Sequence, residues 1–266
     1  MVGSPGITTS GLACGYGGRP VLSDIDLELP AGSTTCILGR SGCGKSTLLR
    51  TLLLLEEPLA GEIRFGNIVL SELVARGLDD LRRSIGVLFQ GSALFNSMTL
   101  LENVAFPLLE STRVAHDLAR DLALLKLDLV GLSPFAHYLP AAVSGGMRKR
   151  CGIARALALD PPFLFLDEPN AGLDPITSAE IDRLVIEIKE TLGTTIVVVT
   201  HEVRSIETIG DHLVMLSNGG VAAQGRPDVI RVSGHPAVTE FFARRPVPPP
   251  SNAAGGLGSL LLPPEE

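Results

Sequence analysis

Three short segments of the chain combine residue types and spacings suited to phosphate chemistry. The first, Gly39-Arg40-Ser41-Gly42-Cys43-Gly44-Lys45-Ser46, has the pattern G-x-x-x-x-G-K-[ST] and lies between an apolar run, Thr34 to Leu38, and a helical stretch, Lys45 to Leu55. Its glycines let backbone N–H groups turn inward around phosphate oxygens, and the helix start adds a favourable dipole. Lys45 then reaches the β- and γ-phosphates of a nucleotide and the Ser46 hydroxyl ligates Mg²⁺, with Ser41, Cys43 and Thr47 as further members of the phosphate-binding turn. Cys43 holds a variable position of the pattern, open to a tolerated small residue or to a redox-sensitive thiol.

The second segment, Phe163 to Glu168, is an apolar strand ending in two carboxylates. Adjacent residues at a strand end project differently, so Asp167 is expected to hold the metal, directly or through water, while Glu168 faces the γ-phosphate and the attacking water. The third, Val143-Ser144-Gly145-Gly146-Met147, opens a helix. A hydroxyl and bare glycine N–H groups there make a second phosphate-binding surface on the same chain.

These segments need a scaffold, and the hydrophobic pattern describes one. Ile25, Leu27 and Leu29 alternate with Asp26 and Glu28, the period of a half-buried strand that Pro30 closes. Glu62 to Phe65 and Asn67 to Leu70 read as a hairpin about Gly66, and Ile85 to Phe89 as a buried strand. From Leu100 to Ala158 the pattern turns helical; Phe163 to Leu166 and Ile196 to Val199 are then continuous apolar runs, as expected of parallel strands buried on both faces, with a long helix from Pro175 to about Thr191 between them. The fold class is α/β: a phosphate-loop core with a mostly parallel sheet, a small antiparallel β subdomain and a helical subdomain inserted at about 95–150. The domain is expected to span 1–245. The remainder, 246–266, holds six prolines and three glycines and is expected to be a disordered tail, in which Leu260-Leu261-Leu262 reads as a plain end or as a docking motif.

Composition removes several other classes. The four cysteines, Cys14, Cys36, Cys43 and Cys151, form no C-x-x-C pair, against a zinc site or a disulfide framework. Hydrophobic residues make up 45% and the mean hydropathy is +0.33, yet no apolar run approaches the roughly 18 residues of a membrane span. The first residues carry no export signal, so a cytoplasmic location is expected. A net charge of −7 lacks the basic face that nucleic acid needs, and the run Arg148-Lys149-Arg150 reads as a solvated helix surface.

On its phosphate loop, strand-end carboxylates and Ser-Gly-Gly segment, the chain resembles the ATP-binding-cassette ATPases from about residue 7 to residue 243. In that family the Ser-Gly-Gly signature of one subunit closes on the ATP held by its partner's phosphate loop. The resemblance therefore implies a head-to-tail homodimer with two shared ATP sites, bound to an integral membrane permease. It implies that Tyr16 stacks on adenine, that Gln90 reaches Mg²⁺ and the attacking water, and that His201 contacts the γ-phosphate. Ala171-Gly172-Leu173-Asp174 then meets the opposite subunit. Plainer roles stay open: a turn aromatic for Tyr16, a polar strand end for Gln90, a core histidine for His201, and a helix N-cap for Asp174 before Pro175, alone or together with the contact.

Two positions depart from the family pattern: Met147 stands where glutamine is usual, and Ala171-Gly172 where Ser-Ala is usual. Ser144, Gly145 and Gly146 remain for phosphate. Met147, with Phe89 to Phe95 and Glu102 to Leu108, is similar to the ATPases of Mce-type lipid transporters, including the Mla phospholipid system. That resemblance implies a peripheral subunit on the cytoplasmic membrane face, a lipid cargo and an Mce-domain substrate-binding partner. Phe95, Met98 and Leu100 are then expected to expose apolar surface to a permease helix. An importer of another solute such as an amino acid, a soluble cassette acting on nucleic acid or ribosomes, and a regulatory module without turnover are the alternatives. The acidic single cassette counts against the second and the intact Glu168 and His201 against the third.

Overall fold

The computed structural model describes residues 5–243; the Pro/Gly-rich stretch 246–266, with Leu260-Leu261-Leu262, lies outside them. Strands β1 (Ile7–Tyr16) and β2 (Arg19–Leu29) pair antiparallel, then β3 (Thr34–Gly39) leads into helix α1 (Lys45–Leu52). The expected hairpin about Gly66 is β4 (Ala60–Phe65) and β5 (Ile68–Val69), and it extends the first sheet in the order β2-β1-β4-β5. After α2 (Ala75–Arg83) and β6 (Ile85–Leu88), three helices follow: α3 (Leu100–Ser111), α4 (His116–Leu129) and α5 (Gly145–Ala156). The chain then runs through β7 (Phe163–Asp167), α6 (Pro175–Leu192), β8 (Thr195–Val199), α7 (Val203–Ile209), β9 (His212–Ser217), β10 (Gly220–Gly225), α8 (Pro227–Arg231) and α9 (Pro236–Ala243). The sequence patterns left β1, α2 and everything after β8 unassigned.

The second sheet has the order β10-β9-β3-β8-β7-β6, parallel except for β10 against β9. Strands β7 and β8 are mostly apolar because each face of the sheet has its own core. Leu164, Leu166, Ile196 and Val198 join α3, α4, α5 and α6 on one side, while Phe163, Phe165, Val197 and Val199 join α1 and the antiparallel sheet on the other. Alternate side chains of one strand point to opposite faces, so a continuous apolar run fills two cores at once. The carboxyl ends of β3, β6, β7 and β8 lie along one edge, the usual location of ligand crevices in such sheets.

One surface expectation is corrected here. Phe95 is 42% exposed and Met98 is half-buried, but Leu100 is fully buried. Thr99 starts α3 through a capping box with Glu102, which places Leu100 as the first helical residue, and its side chain enters the same core as Val104 and Cys151. Buried Asn103 braces the preceding turn, accepting from Phe95 N (2.8 Å) and donating to the carbonyls of Phe95 (3.1 Å), Met98 (3.1 Å) and Thr99 (2.9 Å).

Candidate nucleotide-binding and catalytic site

The glycine loop joins the end of β3 to the start of α1, and its shape requires glycine. Gly44, the residue before α1, has φ 104°, and a Cβ there would lie 2.8 Å from Leu22 Cγ. At Gly39, φ is 150° and a Cβ would lie 2.6 Å from the Leu216 carbonyl oxygen. The Lys45 ammonium donates to the carbonyls of Gly39 (2.8 Å) and Arg40 (3.0 Å), so the charge sits over the loop. A cleft of about 280 Å³ is lined by Ser41, Gly42, Gly44, Lys45, Ser46 and Thr47 together with Gln90, Asp167 and Glu168. Volume alone does not select it. A cleft of about 420 Å³ beside Arg40, His235 and Glu240 is larger, but it holds no strand-end carboxylate pair facing a glycine loop.

Asp167 ends β7 and Glu168 follows it. Burial and the neighbouring Glu168 push the Asp167 carboxyl above its usual range, against the pull of Lys149 and Lys45. Glu168 adopts φ 48°, an uncommon conformation for a side chain of this kind, costing on the order of 1–3 kcal/mol. Its N–H donates to the Val199 carbonyl (2.8 Å) and its own carbonyl accepts from Lys149 Nζ (3.0 Å), which together hold the turn. His201 Nδ1 lies 2.8 Å from Glu168 Oε1, and the other oxygen, Oε2, is buried with no hydrogen-bond partner among the described residues. A buried carboxylate oxygen left free in this way suits a water or a ligand.

Lys149 corrects the reading of the basic run as a solvated surface. It is 6% exposed, and its ammonium donates to the Gln90 and Glu168 backbone carbonyls. Only Arg148 is exposed; it donates to the Val143 carbonyl at 2.7 Å. Three adjacent helical residues point to different faces, and the middle one here points inward. Gly146, Lys149 and Ile153, at helical spacing, are all buried on α5.

Ser144, Gly145 and Gly146 stand apart from this cleft, at the start of α5. Ser144 Oγ accepts from Met147 N (3.2 Å) as an N-cap, and a Cβ on Gly146 would meet Thr177 Cγ2 at 2.3 Å, so the first turn of α5 packs hard against that of α6. Asp174 caps α6: Oδ1 accepts from Ile176 N and Thr177 N, and Oδ2 from Thr177 Oγ1 at 2.6 Å. The Thr177 hydroxyl and these backbone donors hold its carboxyl below the usual range. Tyr16, at the end of β1, is 46% exposed and is not among the cleft-lining residues. Cys43 lies in the loop with its sulfur against Gly39.

A family model described as ABC transporter matches residues 22–171. The chain belongs to the ABC transporter family. It is an ATPase of that family, and the α/β cassette fold is shared with solved members. It is 40% identical over 243 residues to the probable ribonucleotide transport ATP-binding protein mkl of Mycobacterium leprae, covering 91% of this chain and 70% of that one. To the intermembrane phospholipid transport system ATP-binding protein MlaF of Escherichia coli it is 37% identical over 235 residues, covering 87% of each. The dimeric bacterial ABC transporter cassette MJ0796 superposes with a TM-score of 0.75 at 34% identity, over 83% of this chain and 98% of that chain. The cassette cbiO1 from Clostridium perfringens, part of an ABC transporter complex, gives 0.79 at 30% identity, over 85% and 90%.

In this cassette the donor set fits a magnesium–nucleotide complex. Among the described residues no group of three or more His, Cys, Asp or Glu could hold a metal ion by itself. Mg²⁺ normally takes one or two protein oxygens and completes its shell with phosphates and water, which matches Ser46 and Asp167 beside a phosphate loop. A buried polar network that sequence patterns did not reveal backs the turn that follows Glu168. Asn170 Nδ2 donates to Asp182 Oδ1 (2.8 Å) and Ser205 Oγ (2.5 Å), and Ser205 Oγ donates to Asp182 Oδ2 (2.9 Å). It ties the turn after Glu168 to α6, which Asp174 caps, and to α7, which follows His201. Among the described residues no helix is long and apolar enough to cross a membrane.

Proposed function

We propose that the chain binds Mg²⁺-ATP in the cleft at the end of β3, β6 and β7, closes on it with a second copy, and drives a membrane permease that moves phospholipid. The observation that carries this reading is the convergence of Lys45, Ser46, Gln90, Asp167 and Glu168 on one cleft, with His201 on the Glu168 carboxylate. Lys45 and the loop N–H groups of Gly39, Ser41, Gly42, Cys43, Gly44 and Thr47 hold the phosphates, and Tyr16 stacks on the base. Ser46, Asp167 and Gln90 hold Mg²⁺, which when bound offsets charge on the β- and γ-phosphates. Glu168 Oε2 accepts the proton of the attacking water while its Oε1 is engaged by His201 Nδ1; His201 keeps Nε2 for the γ-phosphate. Ser144, Gly145 and Gly146 of the second copy cover the γ-phosphate from the other side, and Asp174 adds the cap that keeps that surface in place. The dimeric cassettes among the solved relatives, one of them bound to ADP and Pi, support this arrangement.

The permease meets the Phe95 region at the cytoplasmic membrane face, with an Mce-domain protein as further partner and no nucleic acid. The MlaF relatives, matched over 87% of their length, support the phospholipid cargo. A ribonucleotide cargo is favoured only by the name of the mycobacterial relatives. The test is ATP hydrolysis by the chain with its co-purified permease in proteoliposomes. The reading expects the rate to respond to phospholipid; a response to ribonucleotides, amino acids or sugars and not to lipid overturns it.

A further inference from the structure

Helix α5 begins at Ser144, on the surface proposed to cover a partner's nucleotide, and its other face reaches the cleft of its own chain. The side chain that reaches it is Lys149. We infer that Lys149 is a positioning residue, which fixes the Gln90 and Glu168 backbones relative to each other and to the helix that carries the signature serine. The inference rests on the ATPase reading.

The geometry is specific. One ammonium donates to two carbonyls that belong to segments 78 residues apart in sequence, Gln90 after β6 and Glu168 after β7. Lys149 is buried and is not among the residues lining the cleft, so it acts on the reacting groups through their backbones. Burial lowers its pKa while Asp167 and Glu168 raise it, so the two carboxylates help keep the charge it needs as a donor. Taking a lysine out of water is costly, and an apolar side chain of similar length would fill the space without that cost. What an apolar side chain lacks is a pair of hydrogen bonds to both catalytic turns.

The same helix also holds the stretch that follows Gln90. Arg155, about two turns beyond Lys149, donates to the carbonyls of Ser92 (2.8 Å) and Ala93 (2.7 Å), which adopt φ 60° and 47°. Two cations of α5 therefore set a strained segment that Gln90 heads. From Ser144 to Lys149 is five residues, a rise of about 7.5 Å along one helix. Movement of the signature end is carried to Gln90 and Glu168 without an intervening joint.

The test compares Lys149→Met and Lys149→Arg in the full chain, with ATP affinity by equilibrium titration, kcat and KM from steady-state hydrolysis, and thermal melts. Lys149→Met should bind ATP within about threefold of wild type and lose kcat by roughly 10- to 100-fold, the scale on which a slightly displaced catalytic group loses rate. Lys149→Arg, which keeps charge and two donors, should recover most of that kcat. A purely structural lysine would lower the melting temperature and affect binding and turnover alike, without rescue by arginine, and that pattern overturns the inference. So does a Lys149→Met kcat equal to wild type. If Lys149→Met does not yield folded protein, Lys149→Gln is measured against the same two criteria. A wild-type chain without ATP hydrolysis defeats the ATPase reading itself; hydrolysis by wild type and equally by the lysine variants defeats only the role of Lys149.

Discussion

In the proposed function the cleft at the sheet edge and the first turn of α5 both hold phosphate, but they differ in completeness. The cleft gathers a glycine loop, a lysine, a hydroxyl, a glutamine and two carboxylates from three strand ends into about 280 Å³. The start of α5 offers one hydroxyl and two glycines, and its local contacts go to Met147 and Thr177. Within one chain, then, the first is a site and the second is half of one. On the proposed reading, a subunit built this way binds nucleotide alone and takes a second copy to finish the chemistry.

The largest expected effect falls on the complete half. Lys45→Ala removes the ammonium that the loop carbonyls of Gly39 and Arg40 hold over the cleft. ATP affinity should drop by about 3 kcal/mol or more, roughly 100-fold, since hydrogen bonds to charged groups carry about 1.5–3 kcal/mol each. Equilibrium titration with Mg²⁺ checks it, and unchanged affinity would break the assignment of the cleft. Ser144→Arg, in contrast, should leave titration of the isolated chain unaltered.

A second contrast separates Phe95 from Leu100, neighbours in sequence with opposite exposure. Leu100→Ala removes a fully buried side chain and should cost about 2–5 kcal/mol of stability, read from denaturant unfolding. Phe95→Asp should leave unfolding nearly unchanged and stop lipid-coupled hydrolysis in the reconstituted complex. Wild-type coupling in Phe95→Asp would move the permease contact elsewhere.

The parts of this comparison that were legible in the sequence are those written in consecutive residues. Gly39 to Ser46 is a contiguous loop whose glycines are demanded by backbone angle and close approach, and Asp167-Glu168 ends an unbroken apolar strand. Lys149 was not legible as functional because its meaning comes from a face of α5 set by packing against strand ends β6 and β7. Leu100 was misplaced for a related reason: the capping box at Thr99 decides where α3 starts and so which residue turns inward. Asn170, Asp182 and Ser205 are separated by tens of residues, and only the fold brings them together. Their hold on the turn after Glu168 could not be read from spacing.

The smallest predicted effect concerns that network. Burial raises the Asp182 carboxyl above the ordinary value of a carboxyl group, with Asn170 and Ser205 partly opposing the shift. Above that value the folded chain holds this proton longer than the unfolded chain does. Its contribution to stability is thus fully present at acid pH and is lost as pH rises through the raised folded value. Asp182→Asn, which cannot ionise, should flatten this slope in thermal melts across mildly acidic pH. An identical slope in both proteins would contradict the assignment of Asp182 to it.

The half-site claim is tested most directly by size-exclusion chromatography with light scattering on Glu168→Gln, with and without ATP, beside Glu168→Gln/Ser144→Arg. Glutamine keeps the size of Glu168 but not its charge, so hydrolysis should slow by about 10²- to 10⁴-fold while both phosphate surfaces stay intact. ATP that is bound and not consumed favours the closed pair by mass action. The account predicts that Glu168→Gln elutes as a dimer with ATP and a monomer without it, and that the double variant binds ATP yet stays monomeric. A double variant that still dimerises on ATP, or a Glu168→Gln chain that hydrolyses at the wild-type rate, would contradict it.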